Sequence, residues 1–301
     1  MSDDSDKVID LMKEYLPFKA IKYKSGKSIN GWQIPNKCRI VTARIYKGDK
    51  LIHDAKNIPL GIPALSASFK GNLNANELKK HLFTHDNTDA IPYHWQNLYR
   101  PNDKQWGFCV PKSFIKKINK GKYFVDLNIK ETPSKMSVLI YTLRGKSEKT
   151  ILFNAHNCHP YQANDDLSGI AVGIELFSRL RLVKNRKYSY QLMIAPELFG
   201  PIFWLDHLKK KEFKNIIGTV MLKSVGNSNN LKLQESYDGD SILDKITHEI
   251  FKQKYQKYVS GKFRTIYGND ETVFESPPYY IPSISITRWP FKEYHTNYNV
   301  C

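Results

Sequence analysis

The spacing of apolar positions changes along the chain, and each change marks an element. Val8, Leu11, Met12 and Leu16 lie on one stripe at helical spacing, which predicts an amphipathic helix over residues 5–16. From Trp32 to about Cys109 the pattern is different: short β-type runs, such as residues 38–46 and 64–69, alternate with turn residues. After Gly121 long buried runs return at 123–129, 138–143 and 150–155. A helical pattern follows over 167–182, then a strand over 188–195 that ends at Pro196-Glu197, and a helix from about Pro201. A strand over 216–225, an amphipathic helix over 241–255 and an apolar, β-branched run over 280–287 complete the series. Strands alternating with helices predict an α/β core, residues 1–35 and 110–301, with a mixed sheet between helical layers. The turn-punctuated segment 36–109 is expected to form a small β-rich module.

Composition narrows the class. With 301 residues, 41% hydrophobic, 25% charged and 13% aromatic, the chain is long and apolar enough to bury a sizeable core. Its net charge of +17 raises the question of nucleic acid, but the lysines are scattered, with short clusters only at 209–211 and 252–257. No helix-turn-helix, zinc-finger or RNA-binding pattern accompanies them, so specific nucleic-acid recognition is not expected. Cys38, Cys109, Cys158 and Cys301 show no C-x-x-C pair and no dense framework, which predicts free thiols and a cytoplasmic location. The amino end is acidic and amphipathic, and no run of 18 apolar residues occurs, so neither a signal peptide nor a membrane span is expected.

The chemistry concentrates in residues 150–182. A buried strand runs into a polar loop holding His156, Cys158, His159, Asn164, Asp165 and Asp166, and a helix with Gly169 near its start follows. That loop sits at the carboxyl end of a strand, where open α/β sheets place their ligands. Imidazole and carboxylate converging there point to a zinc-type site. The structural alternative is a hydrogen-bonded loop histidine and an Asp165 or Asp166 that caps the helix.

The pattern C-H-P-x-x-A-N-D-x-x-S-G, Cys158 to Gly169, resembles the signature of a bacterial aminopeptidase-like family associated with polysaccharide biosynthesis. That family is distantly related to zinc leucine aminopeptidases and glutaminyl cyclases. The motif W-x-I-P from Trp32 to Pro35, residues 73–82, Ile91-Pro92-Tyr93 and Trp106-Gly107-Phe108-Cys109 resemble the β-sandwich module that the family inserts into its core. The likeness runs from about residue 20 to 300 and implies a three-layer zinc-aminopeptidase-like core.

By the same resemblance, His159, Asp165 and His295 are implied as zinc ligands. Glu197 is implied as general base or ligand. The related enzymes carry a Glu-Glu pair at that place, and here its partner is Pro196. Asp270 and Phe274 resemble a segment lining the substrate pocket, with Glu271 where that segment has His. Asn299 stands where the family has an Asp that steadies the carboxy-terminal histidine. Lys223 replaces the Asp that binds one of two metals, so a single zinc is expected, with Lys223 free to stabilise an oxyanion. His156 is expected to support the site by hydrogen bonding. The implied activity is zinc-dependent hydrolysis of an aminoacyl or acylamino amide on a small-molecule, peptide or sugar-linked substrate. The alternative is a catalytically degenerate relative that binds a ligand or partner in the cleft.

Overall fold

The computed structural model describes residues 2–86, 89–99, 103–255 and 258–299. Lys257 and Cys301, named above among the lysine clusters and thiols, lie outside them. Cys38, Cys109 and Cys158 are free.

An eight-stranded mixed sheet forms the centre. Thr150–His156 lies between Ser189–Ala195 and Ile216–Lys223, parallel to both, and Ser283–Thr287 continues the parallel set beyond Ile216–Lys223. Lys135–Leu143 pairs antiparallel with Ser189–Ala195, and Lys19–Lys24 pairs antiparallel with Lys135–Leu143 at one edge. Alternate residues of each strand point to opposite faces. Val138, Met193 and Met221 therefore join one core with Phe203, Trp204 and Phe274 from the helices Phe199–His207 and Glu271–Phe274. Leu139, Leu192 and Val220 join another with Met12, Phe177 and Phe251, which lie on Asp3–Tyr15, Ser168–Leu180 and Ile242–Lys254. A helix layer covers each face, which is the expected three-layer α/β arrangement.

A separate four-stranded antiparallel sheet contains Lys37–Lys47, Lys50–Asp54, Phe69–Asn74 and Lys122–Thr132, and packs over its own core of Leu78, Phe108 and Phe114. Sheet membership thus changes after Thr132 rather than at Cys109. The alternating burial of Lys122–Thr132 suits any half-covered sheet, and pairing with Lys37–Lys47 on one side and Phe69–Asn74 on the other decides which one it joins. The run at 64–69 is a turn until Phe69: Ser66 donates its N–H to Pro63, and Leu65 has a φ of 53°.

Candidate metal centre

Three strand ends and two loops supply the site. The loop after Thr150–His156 does not lead directly into the helix. Ala163–Leu167 forms a single π-type turn in which Asp165 and Asp166 leave helical geometry, and no side chain caps Ser168–Leu180. The capping alternative for the two aspartates is therefore not realised. Asp166 accepts N–H bonds from His156 (3.1 Å) and Ser224 (2.9 Å), which ties the ends of two neighbouring strands together. Gly169 lets the helix approach the sheet, since a Cβ there would lie 2.2 Å from the Leu222 carbonyl oxygen.

This turn aims Asp165 into the interior, where it is fully buried. Its two oxygens have different surroundings. Oδ1 accepts from the Lys223 ammonium and lies 2.9 Å from His156 Nε2. Oδ2 faces His159 Nε2 at 3.4 Å and His295 Nε2 at 3.6 Å. One donor atom from each of His159, Asp165 and His295 lies within 4.8 Å of the others.

The donor set suits zinc on its own geometry. Tetrahedral zinc with ligands near 2.0–2.1 Å separates them by about 3.3 Å, close to the two contacts at Oδ2. His159 Nδ1 lies 2.7 Å from the Pro160 carbonyl, so its proton points there and Nε2 keeps a free lone pair. Burial, then the neighbouring His159, push His295 down to about 2, which keeps that imidazole neutral. Burial pushes the Asp165 carboxyl up, but the Lys223 ammonium and then the hydrogen bond from His156 outweigh it and hold it well below the usual range.

Lys223 ends the strand Ile216–Lys223 and is 1% exposed. Besides contacting Asp165, its Nζ stands 2.7 Å from His156 Nε2 and 4.9 Å from the Tyr267 ring centroid. Burial pushes its pKa down; the carboxylates of Asp165 and Glu197 outweigh this and hold it above the ordinary value. The ammonium is committed inside the protein, so the expected oxyanion contact gives way to a positioning role. His156 supports the site as expected, with Nδ1 3.2 Å from the Asn269 side chain.

Glu197 follows Ser189–Ala195 and lies outside the three-residue donor cluster. Together with His295 it lines a cavity of about 310 Å³ walled by Trp32, Tyr93, Trp95, Tyr99, Tyr267 and Tyr294. Asp270, Glu271 and Phe274, expected at the substrate, lie outside the lining of this cavity. Phe274 is fully buried in the core. Asp270 accepts from the Leu198 N–H (2.6 Å) and the Asn154 amide (2.7 Å), which fixes the backbone next to Glu197. Glu271 accepts only from the Asn269 N–H, and burial raises it to about 7.

The small sheet's segment reaches the metal-type donors through Tyr93, next to the cavity walls Trp95 and Tyr99. Tyr93 donates its N–H to the His295 carbonyl (2.7 Å), and Ile91 and Asn297 exchange hydrogen bonds. The Tyr93 ring stacks on His159 at 4.4 Å, and Tyr294 stacks on His295 at 3.7 Å. Asn299 does not steady His295. It accepts the Asn164 N–H (3.0 Å) and holds the turn that carries Asp165. Sequence reasoning missed Tyr267, Tyr294 and Asn269 as parts of the site. Tyr294 and Asn269 are signalled only by adjacency to His295 and Asp270, and Tyr267 by nothing.

A large mixed sheet between helical layers, with histidine and aspartate donors at its carboxyl edge, defines an aminopeptidase-like α/β protein. The chain belongs to the family described as a domain of unknown function (DUF4910), whose family model matches residues 1–300. A Clostridium acetobutylicum relative named as a polysaccharide biosynthesis protein with aminopeptidase-like domain is 31% identical, over 98% of this chain and 68% of the relative. A crystal structure from C. acetobutylicum, assigned as a peptidase, superposes with a TM-score of 0.87 at 26% identity, covering 100% of this chain and 70% of that one. A zinc aminopeptidase from Bacillus subtilis shares the fold at a TM-score of 0.72 and 14% identity, covering 99% of this chain and 84% of that one. Among the described residues no helix is long and apolar enough to cross a membrane.

Proposed function

We propose that the protein is a hydrolase of aminopeptidase type that uses one zinc ion to cleave an aminoacyl or acylamino amide. The observation that carries this reading is the meeting of His159 and Asp165, from one loop, with His295, from far along the chain, beside a cavity lined by Glu197. When bound, zinc would lower the pKa of a water to about 7 and polarise the substrate carbonyl. His159, Asp165 and His295 would hold the ion, and the Glu197 carboxylate would accept the proton of the attacking water and return it to the leaving amine. The aromatic walls exclude bulk water and pack against the substrate's apolar or sugar-ring faces. The relative's name supports a sugar-linked amide as one substrate class, with peptides and other small molecules as the others. The strands from Lys37 to Asn74 and Lys122–Thr132 act as one module that narrows the entrance through Tyr93. Free thiols support action in the cytoplasm.

The Lys223 contact supports a single ion. A carboxylate that bridges two metals would present Oδ1 to the second one, and here the ammonium occupies that side. A second cation there would meet strong Coulomb repulsion. Metal analysis of protein purified without added zinc should find one zinc per chain. Lys223→Asp should raise capacity toward two, and unchanged capacity would remove Lys223 from the metal argument.

The same lysine and Pro196 favour a second reading, a non-catalytic relative that binds its ligand in the cavity. No metal taken up even after zinc is supplied would select it. So would bound zinc without turnover in a screen of aminoacyl and N-acyl-sugar substrates.

A further inference from the structure

At the opposite end of the sheet lies a second cavity, of about 370 Å³, lined by Arg144, Lys146, Arg181, Lys184 and Arg186 and by no carboxylate. Ser189–Ala195 starts beside it and ends next to Glu197. Seven residues at about 3.3 Å each put roughly 20 Å between the two places.

The rim is built rather than fortuitous. Lys146 and Ser147 donate their N–H groups to the Arg186 and Lys187 carbonyls, each at 2.9 Å, which staples the 144–147 segment to the 181–187 loop. Gly145 permits this approach, since a Cβ there would lie 2.1 Å from the Tyr188 carbonyl oxygen. The Arg186 guanidinium donates to the carbonyls of Leu180 (3.1 Å), Val183 (2.6 Å) and Arg144 (3.2 Å). It thereby covers the carbonyl end of the helix Ser168–Leu180, whose partial negative charge would repel an anion.

Among the described residues none of the five cations forms an ion pair. The nearest acids along the chain, Glu148 and Glu175, are held by Lys211 and Arg179. Five like charges around one concavity, in a chain of net charge +17, leave a strong unbalanced positive field.

We propose that this cavity binds a phosphoryl-bearing small molecule. A singly charged carboxylate would leave most of the field unbalanced, whereas a multiply charged phosphoryl group offers several oxygens to guanidinium forks and ammonium donors. The depression is open, and the loop-to-loop staple holds its cations close together, which suits a compact multiply charged ligand.

Pyrophosphate is the direct probe, with inorganic phosphate as the smaller comparison, by calorimetric titration of the full chain at about 0.15 M salt. Saturable binding of one pyrophosphate per chain, tighter than phosphate, is expected. Arg181→Gln/Lys184→Gln should weaken it by about tenfold or more, since two charged donors to the phosphoryl oxygens are lost. Lys79→Gln/Lys80→Gln, which removes two exposed charges beside the small sheet, should leave it unchanged. Equal weakening by the two double variants would reduce the effect to net charge and overturn the proposal. So would absence of saturable pyrophosphate binding, including the case in which only phosphatidylserine vesicles or duplex DNA bind.

Discussion

The two oxygens of Asp165 face two differently built half-sites. On the Oδ1 side, Lys223 and His156 are buried and the ammonium satisfies the carboxylate from within the protein. On the Oδ2 side, His159 and His295 present imidazole nitrogens, and the His295 side chain is still 19% exposed at the cavity. One half-site is closed by the chain itself, and the other is where the proposed zinc would sit. The difference shows how one carboxylate can be satisfied from within the protein on one oxygen while the other oxygen faces only imidazoles.

The largest expected effect separates the halves by stability. Lys223→Met removes the ammonium from the Oδ1 side and leaves the buried carboxylate without its ion pair, so urea unfolding in chelator should show a loss of about 3–5 kcal/mol. His295→Ala should cost about 1 kcal/mol in the same metal-free assay, as a partly exposed ring, yet abolish zinc retention. If both variants lost equal stability, the division into a structural and a ligand-binding half would fail.

Chemistry gives the next effect. Glu197→Gln keeps size and cavity shape but removes the proton acceptor, so turnover by the zinc-loaded protein should fall about 100-fold with metal content intact. Loss of zinc instead would make Glu197 a ligand and extend the open half-site to a fourth residue.

The smallest effect lies behind the site, at Glu271. Its buried Oε2 has no hydrogen-bond partner, and burial raises the group from 4.5 to about 7 in the folded chain. The folded state thus prefers the protonated acid. The stability tied to it is fully present below about pH 4.5 and is lost as pH rises to about 7, at roughly 1.4 kcal/mol per pH unit. Glu271→Gln stays neutral throughout, so it should melt a few °C above the parent at pH 8, with the gap narrowing toward pH 5. A gap independent of pH would show that the carboxyl does not titrate in this window.

The strands and helices of the large sheet were legible because their signal is local. Thr150–His156 and Ile216–Lys223 are covered on both faces and read as short apolar runs, and Ser168–Leu180 keeps a helical stripe. The ligand candidates were legible as residue types at strand ends, helped by the likeness of Cys158 to Gly169 to a known signature. The role of Asn299 was not, since an amide three residues past Thr296 carries no mark that its partner is Asn164, far back in the chain.

Spacing and residue type set the class of fold and the strand ends that carry chemistry, and the likeness to a known family marked Lys223 as an unusual cation. Only the folded chain decided that Lys122–Thr132 belongs to the small sheet, that Phe274 is core, and that Lys223 turns inward to Asp165. The physical reason is the same in each case. A residue's period and charge are properties of its own stretch of chain, whereas sheet partner, burial and ion pairing depend on groups that only tertiary packing brings within a few ångströms.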